Sequence, residues 1–388
     1  MSSMSSSPPS SVPDRSSEGS NKPARVPVHR PRLPAAEALL PYLKRIDDAR
    51  WYTNFGPLLG EFELRLAAHF DVPIDNVATM ANGTLALTIA LRASGASAGS
   101  RCLMPSWTFP ASAGAALAAG LVPHFVDVDR GSWVLRPETA LSEVETVGKV
   151  GAVMVVSTFG APLDRAGWDH FTEMTGIPVL IDAAASFDAV SACPTIRPGR
   201  TPIMVSLHAT KAFGIGEGGL LLSADAKFVL RCRRLANFGI EPDRTSALAG
   251  INAKLSEYAA AVGLAALDEW PRVRRQWADR TEAYARRLDG LRGVALSPQY
   301  GDGWVSCYCN VEVDAGAAAT GDRLAKAGIA TRRWWGPGCH AQPAYWEFAR
   351  HPLPATEALA ERVLGLPFYI DICDSEIDYV VEALAADR

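Results

Sequence analysis

The chain has 388 residues and a formal net charge of −4; 48% of its residues are hydrophobic and 21% are charged. This composition is ordinary for a soluble globular protein, and its balance provides no basic field for nucleic acid or for an anionic membrane surface. Seven scattered cysteines without a Cys-x-x-Cys pair indicate neither a disulfide framework nor a zinc site. With no long apolar run and no secretory signal in the sequence, we expect a cytoplasmic, enzyme-sized protein without a metal site.

Residues 1–28 predict a disordered tail, because ten of the first twenty residues are Ser and such a segment buries too little apolar surface to offset its ordering entropy. Residues 29–245 alternate between amphipathic helices and short apolar strands, which predicts a large α/β domain with a mostly parallel sheet. The pattern changes after that, and residues 246–388 predict a smaller α+β domain.

The predicted elements follow each other closely. Apolar runs rich in β-branched residues and bounded by polar residues are typical of buried parallel strands. The predicted helices of the large domain cover residues 35–50, 59–70, 86–93, 111–119 and 168–175. Its predicted strands cover residues 101–104, 123–128, 150–156, 179–182, 203–207 and 220–223. The small domain is predicted to hold a long helix over 256–291 that Pro271 kinks or splits, strands within 304–313, and helices over 323–327 and 374–385.

Lys211 is the first candidate catalytic residue, because lysine is scarce here, with only seven in the chain. It follows one apolar strand and precedes a glycine cluster and a second apolar strand. An ammonium between two buried strands is costly unless it has a function. A desolvated lysine is nucleophilic and can form an imine with a carbonyl cofactor. A loop lysine beside a tight turn is the alternative interpretation.

Asp182 ends a predicted strand and is followed by three alanines. In open α/β sheets, ligands bind at the carboxyl ends of the strands. A carboxylate in such apolar surroundings needs a cationic partner, and the pyridinium nitrogen of pyridoxal phosphate (PLP) is one. An aspartate that caps a helix is the alternative.

Two further features fit the same cofactor. Gly83 and Thr84 open a predicted helix, where backbone N–H groups bind phosphate, and Ser206 could add a contact; an ordinary helix cap is the alternative. Trp107 lies in a loop after a strand, where an indole can stack on a flat ring, or can simply anchor the loop.

These features occur in the order used by aminotransferases of fold type I. The sequence resembles the DegT/DnrJ/EryC1/StrS family of sugar aminotransferases over about residues 30–385. The matching segments are 54–57, 82–87, 105–112, 125–129, 181–184, 206–219 (SLHATKAFGIGEGG), 237–239, 250–254 and 366–367.

The resemblance implies a fold type I PLP-dependent transferase in which Lys211 holds the cofactor and moves the proton, while Asp182 pairs with the ring nitrogen. Trp107 would stack on the ring, and Gly83, Thr84 and Ser206 would bind the phosphate. Asn252 resembles the residue that reaches the phosphate of the neighbouring subunit, which implies a homodimer with shared active sites.

Two positions depart from the family pattern. Ala185 stands where the family usually has the Gln that contacts the ring hydroxyl, so Ser186 or a water would have to serve. Lys254 stands where many members have Arg. A lysine at this position resembles the subgroup that acts on dTDP-4-keto-6-deoxyhexoses. Further substrate contacts are expected from His208 and from Arg332, Trp335 and His340 in a Trp/Gly-rich loop, for which a packed turn is the alternative.

The implied function is transfer of an amino group from glutamate to a nucleotide-linked 4-keto- or 3-keto-6-deoxyhexose, for glycan or secondary-metabolite synthesis. Family dehydratases carry His at the lysine position, so the presence of Lys211 favours transamination. The alternatives are a PLP enzyme of the same fold with a non-sugar acceptor or a dehydratase-type reaction, and a PLP-binding protein without turnover. The glycines at 214–219 do not open a helix after a strand, so a dinucleotide fingerprint is absent.

Overall fold

The computed structural model describes residues 25–386 and contains a seven-stranded and a three-stranded sheet. The strands are β1 (Val77–Met80), β2 (Arg101–Pro105), β3 (Val122–Val126), β4 (Val150–Val156), β5 (Val179–Asp182), β6 (Ile203–Ser206), β7 (Gly219–Leu222), β8 (Val294–Leu296), β9 (Cys309–Val313) and β10 (Val363–Leu366). The helices are α1 (Ala36–Ala49), α2 (Pro57–His69), α3 (Gly83–Ala93), α4 (Pro110–Ala118), α5 (Pro137–Val147), α6 (Arg165–Thr175), α7 (Phe187–Ala192), α8 (Ala226–Leu235), α9 (Glu257–Leu288), α10 (Ala317–Lys326), α11 (Pro354–Arg362) and α12 (Asp374–Ala385).

The large sheet has the strand order β1-β7-β6-β5-β4-β2-β3. Strands β2 to β6 are parallel, and β7 is antiparallel to both of its neighbours. The predicted α/β class with a mostly parallel sheet is therefore confirmed. Parallel strands align their carboxyl ends along one edge, which is where a ligand is expected.

Both faces of the large sheet are buried. Along β4, Val153 and Val155 pack into one core with α2 and α9, whereas Ala152 and Met154 pack into a second core with α3 and α4. Because both faces of β4 are buried, the strand has no polar positions. Its composition therefore predicted a buried strand.

The small sheet has the order β10-β9-β8 and is antiparallel. It is flanked by α10, α11 and α12, which gives the α+β character predicted for the C-terminal part. The domain boundary between residues 245 and 246 stays a prediction; bridges join Asn237 to Asn252 and Ile240 to Ser246 across it.

Several predicted bounds differ from the structure. Helix α9 continues through Pro271 as one 32-residue helix, so Pro271 does not split it, and a kink there stays a prediction. Of the strands expected within 304–313, only β9 forms, and α10 begins six residues before the predicted helix start at residue 323. Most of the predicted tail lies outside the described residues, but Val26 is buried and pairs with Ile329, so order begins before residue 29.

Within residues 25–386, none of the helices combines the length and apolarity needed to cross a membrane.

Candidate active site

The candidate residues gather at the carboxyl edge of the large sheet. Asp182 is the last residue of β5 and Ser206 the last of β6. Lys211 lies in the loop that connects β6 to β7, and the segment after β2 leads into α4. The parallel strands thus bring together side chains that lie far apart in the sequence, as predicted for Asp182, Ser206 and Lys211.

Asp182 is a buried carboxylate with two donors. Its Oδ2 accepts a hydrogen bond from Oγ of Ser112 at 2.7 Å, and its Oδ1 accepts one from the backbone N–H of Ala184 at 3.2 Å. Burial raises the pKa of Asp182, whereas Ser112, Ala184 and the nearby Lys211 act to lower it. The carboxylate is therefore oriented by fixed donors and has spare acceptor capacity for a cationic partner.

Lys211 lies close to Asp182 and is oriented by Tyr308. Its Nζ donates a hydrogen bond to Oη of Tyr308 at 3.0 Å and lies 5.3 Å from the centre of that ring. Burial lowers the pKa of Lys211, but Tyr308, Cys307 and Asp182 outweigh that effect and raise it above the ordinary value. Without a cofactor the amine is thus held as an ammonium at a defined position.

The start of α3 forms a narrow cradle beside Ser206. Asn82 caps the helix by accepting from the N–H of Leu85 at 2.8 Å. A Cβ at Gly83 would lie 3.2 Å from both Cβ of Ser206 and Sδ of Met204, so a larger residue would crowd the cradle. Backbone N–H groups at the N-terminus of an eleven-residue helix next to a hydroxyl suit a phosphate group.

The aromatic residue predicted to cover the ring is not accessible. Trp107 is only 2% exposed and packs edge-to-face against Trp335 and Phe159. Phe109, two residues later, is 59% exposed and is the N-cap residue of α4, the helix that carries Ser112. The position expected of Trp107 is therefore better matched by Phe109, because Phe109 lies next to the Ser112–Asp182 pair and its ring is open.

Ser186 does not replace the missing glutamine at position 185. Its side chain is fully buried, and its Oγ lies 2.8 Å from Oγ of Ser157, which in turn donates to the carbonyl of Ala161. Ala185 itself is buried and has no polar side-chain atom. Neither residue presents a free side-chain donor, which leaves a water or a residue from elsewhere in the fold.

The residues expected to contact substrate separate into two groups. Trp335 stacks on Phe159 at 4.0 Å, and Nδ1 of His340 lies 2.6 Å from Oγ of Ser106, so both make packing contacts and their substrate roles stay predictions. Arg332 is exposed and lies over the ring of Trp334. His208 contacts Thr210 and Glu217.

Asn252 and Lys254 form a separate exposed pair. Nζ of Lys254 donates to Oδ1 of Asn252 at 2.8 Å and lies over the ring of Phe238. Their strand-like segment is joined to the β1–α3 connection, since Ala81 N–H donates to the carbonyl of Ala253. The role predicted for Asn252 in a neighbouring subunit stays a prediction.

Sequence reasoning missed three residues of the site. Ser112 and Tyr308 contact Asp182 and Lys211 directly, and His29 packs edge-to-face against Tyr308 at 6.0 Å. Burial and the neighbouring Lys211 lower the pKa of His29 to about 4, so its ring is neutral. Only for Ser112 did the sequence contain a signal, since it lies within a segment that resembles the family.

One group of possible metal ligands lies at the far edge of the large sheet. His124, Glu143 and His351 place their ligand atoms within 4.8 Å of one another. However, a guanidinium nitrogen of Arg101 lies 2.9 Å from Nδ1 of His124. Arginine only donates, so Nδ1 accepts and Nε2 carries the proton. A hydrogen atom rather than a lone pair therefore faces Glu143, which disfavours a metal ion.

Comparisons with known proteins agree with this site. Residues 35–385 match the model of the DegT/DnrJ/EryC1/StrS aminotransferase family. The chain belongs to this family. It is similar to the dTDP-4-amino-4,6-dideoxy-D-glucose transaminase of Escherichia coli, with 28% identity over 92% of this chain and 98% of the relative.

Two solved structures are similar to the whole fold. One is DesI, crystallised in the presence of its TDP-sugar product, with 32% identity, a TM-score of 0.84 and 94% of each chain covered. The other is a PLP-dependent aminotransferase from Bacillus cereus, with 29% identity, a TM-score of 0.87, and 92% of this chain and 99% of that chain covered. The protein is accordingly a PLP-dependent aminotransferase.

The described residues fit this cofactor. A phosphate-sized cradle at Gly83, a lysine amine at Lys211 and an oriented carboxylate at Asp182 supply the three contacts that PLP needs. Asp182 is buried, and none of the described cationic side chains contacts it directly. A protonated ring nitrogen would supply the cation that this carboxylate can still accept from.

Proposed function

We propose that the protein transfers the amino group of glutamate to a nucleotide-linked 4-keto- or 3-keto-6-deoxyhexose, as a cytoplasmic homodimer. The observation that carries the proposal is that a buried Asp182 held by Ser112, Lys211 held by Tyr308 and the Gly83 cradle lie at the same edge of the large sheet. The names of the Escherichia coli relative and of DesI, both of which refer to dTDP or TDP sugars, support the substrate class.

Each residue has a definite task in this function. When bound, PLP acts as an electron sink that allows the amino group to move between two substrates. Asp182 keeps the ring nitrogen protonated, and Ser112 and Ala184 hold its carboxylate in place. Nζ of Lys211 would move the proton between the amine-bearing carbon of the substrate and C4′ of the cofactor, in one direction with glutamate and in the other with the keto sugar, which is general acid–base catalysis by a positioned amine.

The remaining contacts anchor the cofactor. Backbone N–H groups of Gly83 and Thr84 and the hydroxyl of Ser206 bind the phosphate. We propose that the open ring of Phe109, rather than the buried Trp107, covers the cofactor ring. Arg332 is the remaining candidate for the substrate's diphosphate, because it is an exposed cation near Trp334.

A homodimer with shared sites is supported by an exposed aromatic surface. This surface consists of Trp51, Tyr52, Phe55 and Tyr258, each at least 40% exposed, and the rings of Tyr52 and Tyr258 stack at 6.2 Å. Such a patch is typical of a protein–protein interface.

Complementation tests the shared site. Lys211→Ala and Asn252→Ala chains are each expected to be inactive, and mixing them after mild denaturation should restore activity, because one of the two sites in the mixed dimer then has both residues. No recovery would place Asn252 and Lys211 in the same chain's site.

The substrate is tested with a panel of nucleotide keto-sugars. The PLP-loaded protein is incubated with glutamate and each sugar, and the products are analysed by mass spectrometry. A nucleotide amino-sugar together with 2-oxoglutarate is the expected result. If glutamate alters the cofactor absorbance but no sugar of the panel is aminated, the sugar assignment is wrong.

A second candidate function rests on Ala185 and the engaged Ser186. Without a side-chain donor at this place the electronic state of the cofactor ring differs, which favours a non-sugar acceptor or a dehydratase-type reaction. An unchanged absorbance after addition of glutamate would favour a dehydratase-type reaction, whereas an altered absorbance without amination of any sugar would favour a non-sugar acceptor.

A further inference from the structure

Two side chains of the C-terminal part have buried polar atoms without a hydrogen-bond partner among the described residues. Asn310 in β9 is fully buried, and neither its amide oxygen nor its amide nitrogen has a hydrogen-bond partner; the same is true of the indole nitrogen Nε1 of Trp334. Nearly all buried polar groups in native proteins are hydrogen-bonded, so such a group points to a missing ligand or water.

The two side chains occupy the same place. Asn310 is paired with Gly365 of the neighbouring strand β10, and paired residues project from the same face of a sheet. A Cβ atom at Gly365 would collide with Nε1 of Trp334, so the indole N–H lies directly over this glycine. The unpartnered donor of Trp334 therefore lies beside the unpartnered amide of Asn310.

This face of the small sheet is directed away from the main core. The flanking pair Val311 and Leu364 belongs to the main hydrophobic core on the opposite face. Tyr308 and Trp334 instead join the separate aromatic cluster that contains Trp107 and Phe159. The amide of Asn310 and the N–H of Trp334 thus lie on the same face of the small sheet as Tyr308, which contacts Lys211.

The same face leads to Lys211. Tyr308 precedes Asn310 by two residues, its ring centre lies 5.0 Å from that of Trp334, and its hydroxyl is 3.0 Å from Nζ of Lys211. Tyr308 therefore contacts both the indole of Trp334 and the amine of Lys211, and it links the unpartnered groups to the catalytic lysine.

We propose that Asn310 and Trp334 bind a hydroxyl group on the ring of the acceptor substrate. This inference rests on the proposed function. A hydroxyl accepts from the indole N–H and donates to the amide oxygen of Asn310, so it satisfies both groups at once. 2-Oxoglutarate has no hydroxyl group, so it cannot make this pair of hydrogen bonds and serves as the acceptor for comparison.

The test compares two acceptors with three variants. Asn310→Ala and Trp334→Phe remove one group each, and Trp346→Phe, at a 64% exposed position, is the matched control. Protein loaded with pyridoxamine phosphate is reacted with dTDP-4-keto-6-deoxy-D-glucose or with 2-oxoglutarate. Loss of one such hydrogen bond is expected to raise the KM for the sugar about tenfold, while the reaction with 2-oxoglutarate stays within about twofold.

Each outcome bears on one claim. An unchanged KM for the sugar in both variants, or an equal loss with both acceptors, overturns the subsite. If Asn310→Ala does not fold, Trp334→Phe decides, because it removes the N–H while keeping an aromatic ring, and its loss of ring volume is expected to affect both acceptors alike. A wild-type protein that reacts with 2-oxoglutarate but not with the sugar refutes the proposed function instead, and the sugar subsite with it.

Discussion

Ser112 is expected to control how tightly the protein binds its cofactor. Its hydroxyl donates to Oδ2 of Asp182 at 2.7 Å and itself lies 2.8 Å from Oγ1 of Thr108, so its orientation is fixed. Replacing Ser112 with Ala removes one of the two donors that oppose the effect of burial on this carboxylate.

The size of the effect follows from the charge on Asp182. A hydrogen bond to a charged group contributes about 1.5–3 kcal/mol, and its loss raises the pKa of Asp182 further. The carboxylate then pairs less well with a protonated ring nitrogen, and the Kd for PLP should rise about ten- to a hundredfold.

The assay is a titration of the cofactor-free protein with PLP, followed by absorbance. Ser132→Ala is the matched control, since Ser132 makes a similar hydrogen bond of 2.8 Å to Asp129, a carboxylate outside the site. A Kd for Ser112→Ala within twofold of the wild-type value would show that the Ser112–Asp182 contact does not orient the cofactor's partner.

Three further changes test other parts of the site. Asp182→Asn should lower transamination about 10²–10³-fold without lowering the free energy of unfolding of the cofactor-free protein, because burial raises the pKa of this carboxyl and so disfavours its charged form; a less stable variant in urea unfolding would contradict this. Gly83→Ala should release PLP on gel filtration, since its Cβ would crowd Ser206. The control Gly60→Ala, whose Cβ would have nothing within 4 Å, should retain PLP. Equal retention of PLP by both variants would show that Gly83 does not form part of the phosphate site. The pKa of His29 falls from 6.5 to about 4 on folding, so its neutral form contributes stability above pH 6.5 that is lost as the pH falls toward 4. The wild type should therefore lose about 2 kcal/mol more than His29→Asn between pH 8 and pH 5, and parallel urea-unfolding curves at both pH values would contradict this.

The sheet and its ligand edge were predictable because local signals determine them. Strand β4 is a seven-residue apolar run that only a strand buried on both faces explains, and Asp182 and Lys211 each stand next to such a strand. Helix α5 was not predicted although its apolar positions Ala140, Leu141 and Val144 recur at helical spacing. Strand β1 was missed because its four residues show no alternation.

Contacts between distant segments decide what the sequence leaves open. From the sequence alone, Trp107 and Phe109 are equally suitable to stack on the cofactor ring. Only the packing of Trp335 and Phe159 against Trp107 shows which of the two rings is covered. Tyr308 reaches Lys211 across 97 positions of the chain, so no local pattern could pair them. Likewise, the continuity of α9 through Pro271 depends on its packing against α1 and α2 rather than on helix propensity.

The central claim is that Lys211 holds PLP, and it is tested most directly by reducing the PLP-loaded protein with borohydride and mapping the modified peptide by mass spectrometry. The predicted result is a yellow protein in which a stable pyridoxyl group is found on Lys211 and on none of the other six lysines. A pyridoxyl group on another lysine such as Lys254, or a colourless protein that takes up no PLP, would contradict the account.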